Sequence, residues 1–180
     1  MEQTVDIETL GTKPNCVILS VGAVKFNLHS DAAPHSHFYV KLDVDQQLNL
    51  NRSVDDATLE WWNKQDQEIK DEALSDHDRI GLLDFVKEFN RYCVGIDSFW
   101  AQGSTFDYVI LEDLYRSLRE PFPINYWQIR DSRTLFKWYK RDPRKSINTA
   151  YHNALSDAES QSIALQRIYK EFDIERTVGR

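Results

Sequence analysis

The stretch Cys16–Phe26, which reads Cys-Val-Ile-Leu-Ser-Val-Gly-Ala-Val-Lys-Phe, constrains the fold more than any other. It is rich in β-branched residues and only Lys25 is charged, so it predicts a buried strand. Its most apolar part, Cys16 to Val24, is far too short to cross a membrane. Before it, Gln3–Ile7 reads as a short strand, cut off at Gly11 and Pro14. After it, His37–Leu42 alternates as a third strand. Helical periodicity then takes over. Asp55 or Asp56 caps a helix through Lys64 that carries Leu59, Trp61 and Trp62. Within Arg79–Cys93, Leu82, Val86, Phe89 and Cys93 fall at spacings of four, three and four, an amphipathic helix. Ser98–Ala101 predicts a strand and Asp107–Leu118 a helix with Ile110, Leu114 and Leu118 on one stripe. Tyr126–Ile129 predicts a last strand, and Asn153–Phe172 a helix turning Leu165, Ile168, Tyr169 and Phe172 to the core. Three consecutive strands followed by crossover helices predict an α/β domain with a mixed central sheet flanked by helices. No repeat or linker divides the chain, so residues 1–180 are expected to form one domain.

Composition narrows the function classes. Cys16 and Cys93 sit in apolar contexts without ligand-like spacing, as free thiols do in a reducing compartment. The chain opens Met-Glu-Gln-Thr-Val-Asp with no secretory leader, so a soluble, cytoplasmic protein is expected. The formal net charge of -7 taken alone argues against a nucleic-acid partner. The charge is unevenly spread, however. Residues 1–100 hold 9 basic and 18 acidic side chains, residues 101–180 hold 13 and 11. Between 127 and 145, Arg130, Arg133, Lys137, Lys140, Arg141, Arg144 and Lys145 face only Asp131 and Asp142. Trp127, Phe136, Trp138 and Tyr139 are interleaved with them. Cations that track phosphates and rings that stack on bases suit a single strand. A solvated helix with a buried aromatic stripe would read the same way.

Three short constellations carry chemistry. In Asp6-Ile7-Glu8, a strand puts both carboxylates on one face. Side by side they repel, so a hard divalent cation such as Mg²⁺ or Mn²⁺ is the natural occupant between them. A solvated strand end is the plain alternative. Phe106-Asp107 follows a strand and a Gly103-bearing turn, which places a carboxylate where α/β sites gather. A helix-capping acid would look the same. His152 and Asp157, five apart, differ by about 140° on a helix and would not share a face. If His152 lies in the loop before that helix, it can swing over a site to which Asp157 points and act as a general base.

Taken together and in this order, Asp6-x-Glu8, Phe106-Asp107 and His152-x-x-x-x-Asp157 resemble the signature of the DEDDh 3′–5′ exonucleases of the ribonuclease H-like superfamily. Ile7-Glu8-Thr9-Leu10-Gly11, Leu59-Glu60-Trp61-Trp62, the segment Trp100–Asp107 and Arg130-Asp131-Ser132-Arg133-Thr134 look like its phage and prophage branch. That branch includes phage exodeoxyribonucleases and the exodeoxyribonuclease VIII-like and ribonuclease AS-like proteins. The likeness runs from near Met1 to about Phe172. It implies a ribonuclease H-like fold and hydrolysis of single-stranded DNA or RNA from a free 3′ end to nucleoside 5′-monophosphates. It also implies two divalent metal ions, Mg²⁺ or Mn²⁺, held by Asp6, Glu8 and Asp157 with Asp107 supporting the second. His152 would be the general base. Thr9 and Leu10 would recognise the 3′ end, Phe106 would meet the substrate, and Lys140 and Arg144 of the basic stretch would hold the strand. Neighbours on a helix differ by about 100°, so one of Trp61 and Trp62 packs in the core and the other, with Trp61 the candidate, stacks on a base or meets a second subunit. No membrane is implied; homodimers are common among relatives, and a phage-encoded enzyme would work in the host cytoplasm. Gln102 departs from the Asn many superfamily members carry there. A short-oligonucleotide phosphodiesterase and a catalytically idle nucleic-acid-binding module are the competing readings.

Overall fold

A computed structural model describes residues 1–139, 143–145, 147 and 152–174. Its centre is a six-stranded sheet. The strands are β1 (Glu2–Thr9), β2 (Ile18–Phe26), β3 (His35–Leu42), β4 (Arg79–Ile80), β5 (Ser98–Ala101) and β6 (Ile129–Asp131). The spatial order is β4-β3-β2-β1-β5-β6. β1, β2 and β3 pair antiparallel, joined by the loops 10–17 and 27–34. β5 and β6 run parallel to β1, and β4 parallel to β3, so the sheet is mixed. The expected architecture is therefore present, with β2 buried along nearly its whole length.

The helices are α1 (Val44–Asn49), α2 (Asp56–Asn63), α3 (Gln67–Leu74), α4 (Leu82–Tyr92), α5 (Ser104–Leu118), α6 (Ser132–Trp138) and α7 (Ala154–Glu171). One sheet face packs Val5, Ile7, Val21 and Ala23 against Phe85, Val86 and Phe89 of α4 and Ile110, Leu111 and Leu114 of α5. The opposite face carries α7, which lies across β1 and β2. Phe26, Leu28, Trp100 and Leu165 form a core there, backed by Leu135 and Phe136 of α6. A third cluster gathers Leu10, Val17, Leu19, Trp62 and Ala73 under α2 and α3.

Several local expectations are corrected. Arg79–Ile80 is a strand rather than the first turn of a helix, because the Arg79 guanidinium donates to the carbonyls of Leu19, Leu42 and Ala73. Tyr126–Gln128 is a 3₁₀ turn closed by an Asn125/Gln128 capping box, and the strand starts at Ile129. Phe172 ends beyond α7 and is exposed, while Leu165 and Ile168 are buried as expected. α1 has no apolar period; its buried side chain is Gln47, which both donates to and accepts from the backbone of Ile18. Cys16 and Cys93 are buried free thiols. No described helix is long and apolar enough to cross a membrane.

Candidate active site

Strand alternation places Thr4, Asp6 and Glu8 on the face opposite Val5 and Ile7. There they lie beneath α7, whose Ser162 hydroxyl donates to the Thr4 hydroxyl at 2.8 Å. α7 can come this close because β2 offers no side chain at Gly22, the residue paired with Asp6. A Cβ there would stand 2.2 Å from the carbonyl carbon of Ala154 and 2.3 Å from the amide of Leu155. The close approach brings Asp157, in the first turn of α7, over β1. Ligating oxygens of Asp6, Glu8 and Asp157 all lie within 4.8 Å of one another. The β1–β2 register slips between Glu8 and Thr9, a bulge-like irregularity of the kind that re-aims side chains beside sites.

The second expected carboxylate arrives from α5. Gly103 precedes it at φ 107°, and Ser104 opens the helix with its amide donating to Asp131 Oδ2 at 2.8 Å. Asp107 then falls in the first turn, 4% exposed, and lines the same cleft as Asp6 and Asp157. His152 lies in the turn before α7 at φ 59°, so helical geometry does not separate it from Asp157. Its ring meets Trp61 edge-on with centroids 4.9 Å apart. The cleft has a volume of about 660 Å³. Gln102, Arg133, Arg144 and Lys145 line it as well.

The electrostatics are those of a site short of positive charge. Burial, then the charges of Asp107, Asp157 and Glu8, push the Asp6 carboxyl well above its usual range. Burial, then Asp157 and Asp107, push Glu8 from 4.5 to about 8. Burial also raises Asp107, against hydrogen bonds from the backbone of Asp107 and Ile7 and the charge of Arg133. It raises Asp157 too, partly offset by His152 and Arg144.

The other expected residues divide. Trp61 is 39% exposed and lines the cleft. Trp62 is buried and donates its indole N–H to the Thr9 carbonyl at 2.9 Å, so packing assigns the two neighbours opposite fates. Phe106 lines the cleft and leans on the main core. The Thr9 hydroxyl donates to the Gly11 carbonyl at 2.7 Å. Leu10 is buried in the third cluster and would have to leave it to touch a base. Arg144 stands over the Phe136 ring and donates to the Gln102 side-chain oxygen. Lys140 lies outside the described residues. Of the interleaved aromatics, Trp127 and Trp138 are exposed and Phe136 is packed.

Two solved structures that share this fold are of nucleases. The nuclease domain of 3′hExo, described as a DEDDh family member bound to rAMP, superposes with a TM-score of 0.67 at 14% identity. The match covers 94% of this chain and 92% of that one. Exonuclease X in complex with 5′ overhanging duplex DNA gives a TM-score of 0.54 at 17% identity, covering 97% and 95%. Residues 1–169 match the family described as the 3′–5′ exoribonuclease Rv2179c-like domain. The chain belongs to the Rv2179c-like family. It is a hydrolytic nuclease, an exonuclease of DEDDh type with the ribonuclease H-like fold. A relative of this Rv2179c-like domain is the exodeoxyribonuclease of Enterobacteria phage T4, 24% identical over 155 residues, 72% of this chain and 68% of that protein.

DEDDh nucleases use divalent metals, and the donor set of this Rv2179c-like domain fits them. All the acids are hard oxygen ligands, three of them converge, and each is disfavoured as a bare anion. One residue of the site had no signal in the sequence. Gln161, 2% exposed on α7, donates to Asp6 Oδ1 at 2.9 Å. A lone Gln in a helix carries no spacing rule, although it stands one turn after Asp157 on the same stripe.

Proposed function

We propose that this chain removes nucleotides one at a time from the 3′ end of single-stranded RNA or DNA, releasing nucleoside 5′-monophosphates. The observation that carries the reading is the convergence of Asp6, Glu8 and Asp157, two of which, Asp6 and Asp157, line a cleft together with Asp107 and His152. Asp6, Glu8 and Asp157 would hold one divalent ion, and Asp6 with Asp107 a second. When bound, the ions supply the positive field that lets an anionic phosphodiester approach four carboxylates. Burial raises the Glu8 carboxyl to about 8 and that of Asp107 to about 7, and both would have to be deprotonated to hold an ion. His152 takes the proton of the attacking water, and Trp61 braces its ring from the side. Arg133, Arg144 and Lys145, which line the cleft, would hold phosphates of the strand.

The family description favours RNA, whereas the phage relative's name favours DNA. One assay separates these: 3′- and 5′-labelled single strands of each sugar, with Mg²⁺, Mn²⁺ or EDTA. Release of labelled mononucleotide only from the 3′-labelled strand, abolished by EDTA, is expected. His152→Ala should cut turnover by roughly 10²–10⁴ while Mn²⁺ still binds. Release from the 5′ end, or near-full turnover without His152, would overturn the reading. A rate that peaks at two to five nucleotides would redirect it to short-oligonucleotide phosphodiesters.

A further inference from the structure

Asp131 and Ser132 have no part in the mechanism above, yet with Arg133 they tie together the two helices that bring an acid to the cleft. Asp131 accepts from the amide of Ser104 at the start of α5, the helix of Asp107. Arg133 donates to the Gln102 carbonyl at 2.8 Å, just before that helix. Ser132, fully buried between them, turns the other way. Its hydroxyl donates to Gln161 Oε1 at 3.4 Å, and Gln161 Nε2 donates to Asp6 Oδ1 at 2.9 Å.

We propose that Ser132 and Gln161 form a positioning relay that fixes the Asp6 carboxylate for metal binding, a role resting on the exonuclease reading above. The chemistry fixes the direction of the chain. A carboxylate only accepts, so the Gln161 amide must present nitrogen to Asp6 and oxygen to its other neighbour. Ser132 supplies a donor for that oxygen and so holds the amide in the required flip. With Oδ1 engaged and the Asp6 rotamer held, the carboxylate is set among Glu8 and Asp157 before any ion arrives. Loss of an outer hydrogen bond of this kind typically weakens a metal site about 10- to 100-fold. The junction after β6 thus governs a carboxylate two strands away, through α7.

The test is Mn²⁺ binding to the purified full chain, read by electron paramagnetic resonance, with melting temperature followed alongside. Gln161→Met keeps length and removes both hydrogen bonds; it should weaken Mn²⁺ roughly 10- to 100-fold. Ser132→Ala deletes one oxygen and should weaken it less, in the same direction. In the Gln161→Met background, Ser132→Ala should add nothing, since the relay is already cut. A packing role alone would lower the melting temperature and leave Mn²⁺ affinity unchanged; that result overturns the relay, as would equal Ser132→Ala effects in both backgrounds. If Gln161→Met fails to fold, Ser132→Ala alone decides: unchanged Mn²⁺ affinity overturns the proposal. Wild-type protein that binds no Mn²⁺ would overturn the exonuclease reading itself, and the relay with it.

Discussion

On one face of β1, Val5 and Ile7 disappear into an apolar core; on the other, Thr4, Asp6 and Glu8 lie under a helix that meets them with Ser162, Gln161 and Asp157. The two faces are set by alternate residues of one strand and differ only by the period of two. The first face lowers the free energy of folding by removing hydrocarbon from water. The second raises it, because carboxylates buried together lose their solvating water and repel one another. A strand with two such faces separates stability from chemistry by one residue of register. A slip of one residue would exchange them, so the antiparallel pairing with β2 protects both at once.

The sharpest way to break this division is to change one residue on each face. Asp6→Asn should reduce turnover to background and raise the melting temperature of the metal-free protein at pH 8, since burial and three neighbouring acids oppose its charge. Val5→Ala should do the reverse. It should cost about 2–3 kcal/mol of stability for the deleted methyl groups and the cavity left behind. Turnover per folded molecule should stay close to wild type. Paired thermal melts and turnover measurements read both outcomes. A Val5→Ala protein with normal melting and lost turnover would show that the faces are not separable.

Gly22→Ala tests the one point where the faces cannot be separated. Its added Cβ meets backbone, not a yielding side chain. The start of α7 must move off the sheet, carrying His152 and Asp157 with it. Stability and turnover should fall together, and Mn²⁺ affinity should fall by about tenfold or more, on the scale of lost outer support. Mn²⁺ affinity and melting at the wild-type values would mean that α7 does not depend on this contact.

Much of this division was legible in the amino-acid order. The β-branched run of β2, the four-three-four spacing of α4 and the Asp-x-Glu alternation of β1 each obey a simple period. So did the need for His152 to precede its helix, since five residues on a helix would have parted it from Asp157. The missed elements lack a period to read. α1, α3 and α6 have six to eight residues each, about two turns. α1 buries a glutamine, and the start of α6 is set by Asp131 accepting from the Thr134 amide. Long-range choices were invisible for a different reason. Which of Trp61 and Trp62 goes inside depends on the Thr9 carbonyl, and the value of Gly22 depends on a helix more than a hundred residues away.

The smallest effect concerns pH, and it isolates the charged face alone. Glu8 is raised from 4.5 to about 8 by burial and by Asp157 and Asp107, so the folded chain keeps a proton that the unfolded chain releases. Such a group contributes stability fully below its unfolded value and loses it as pH rises through the folded value. Asp6 and Asp107 are raised in the same direction, chiefly by burial. The metal-free melting temperature should therefore fall between pH 5 and pH 8.5, by roughly 2–4 °C for each kcal/mol lost. Saturating Mg²⁺ or Mn²⁺ should remove most of that slope, because bound ions favour the deprotonated acids at every pH in the range. Val5→Ala should shift the whole curve down without changing its slope, whereas Asp6→Asn should flatten it. Equal slopes in wild type and Asp6→Asn would mean that the protons are lost elsewhere, and that the buried acids do not oppose folding as their surroundings require.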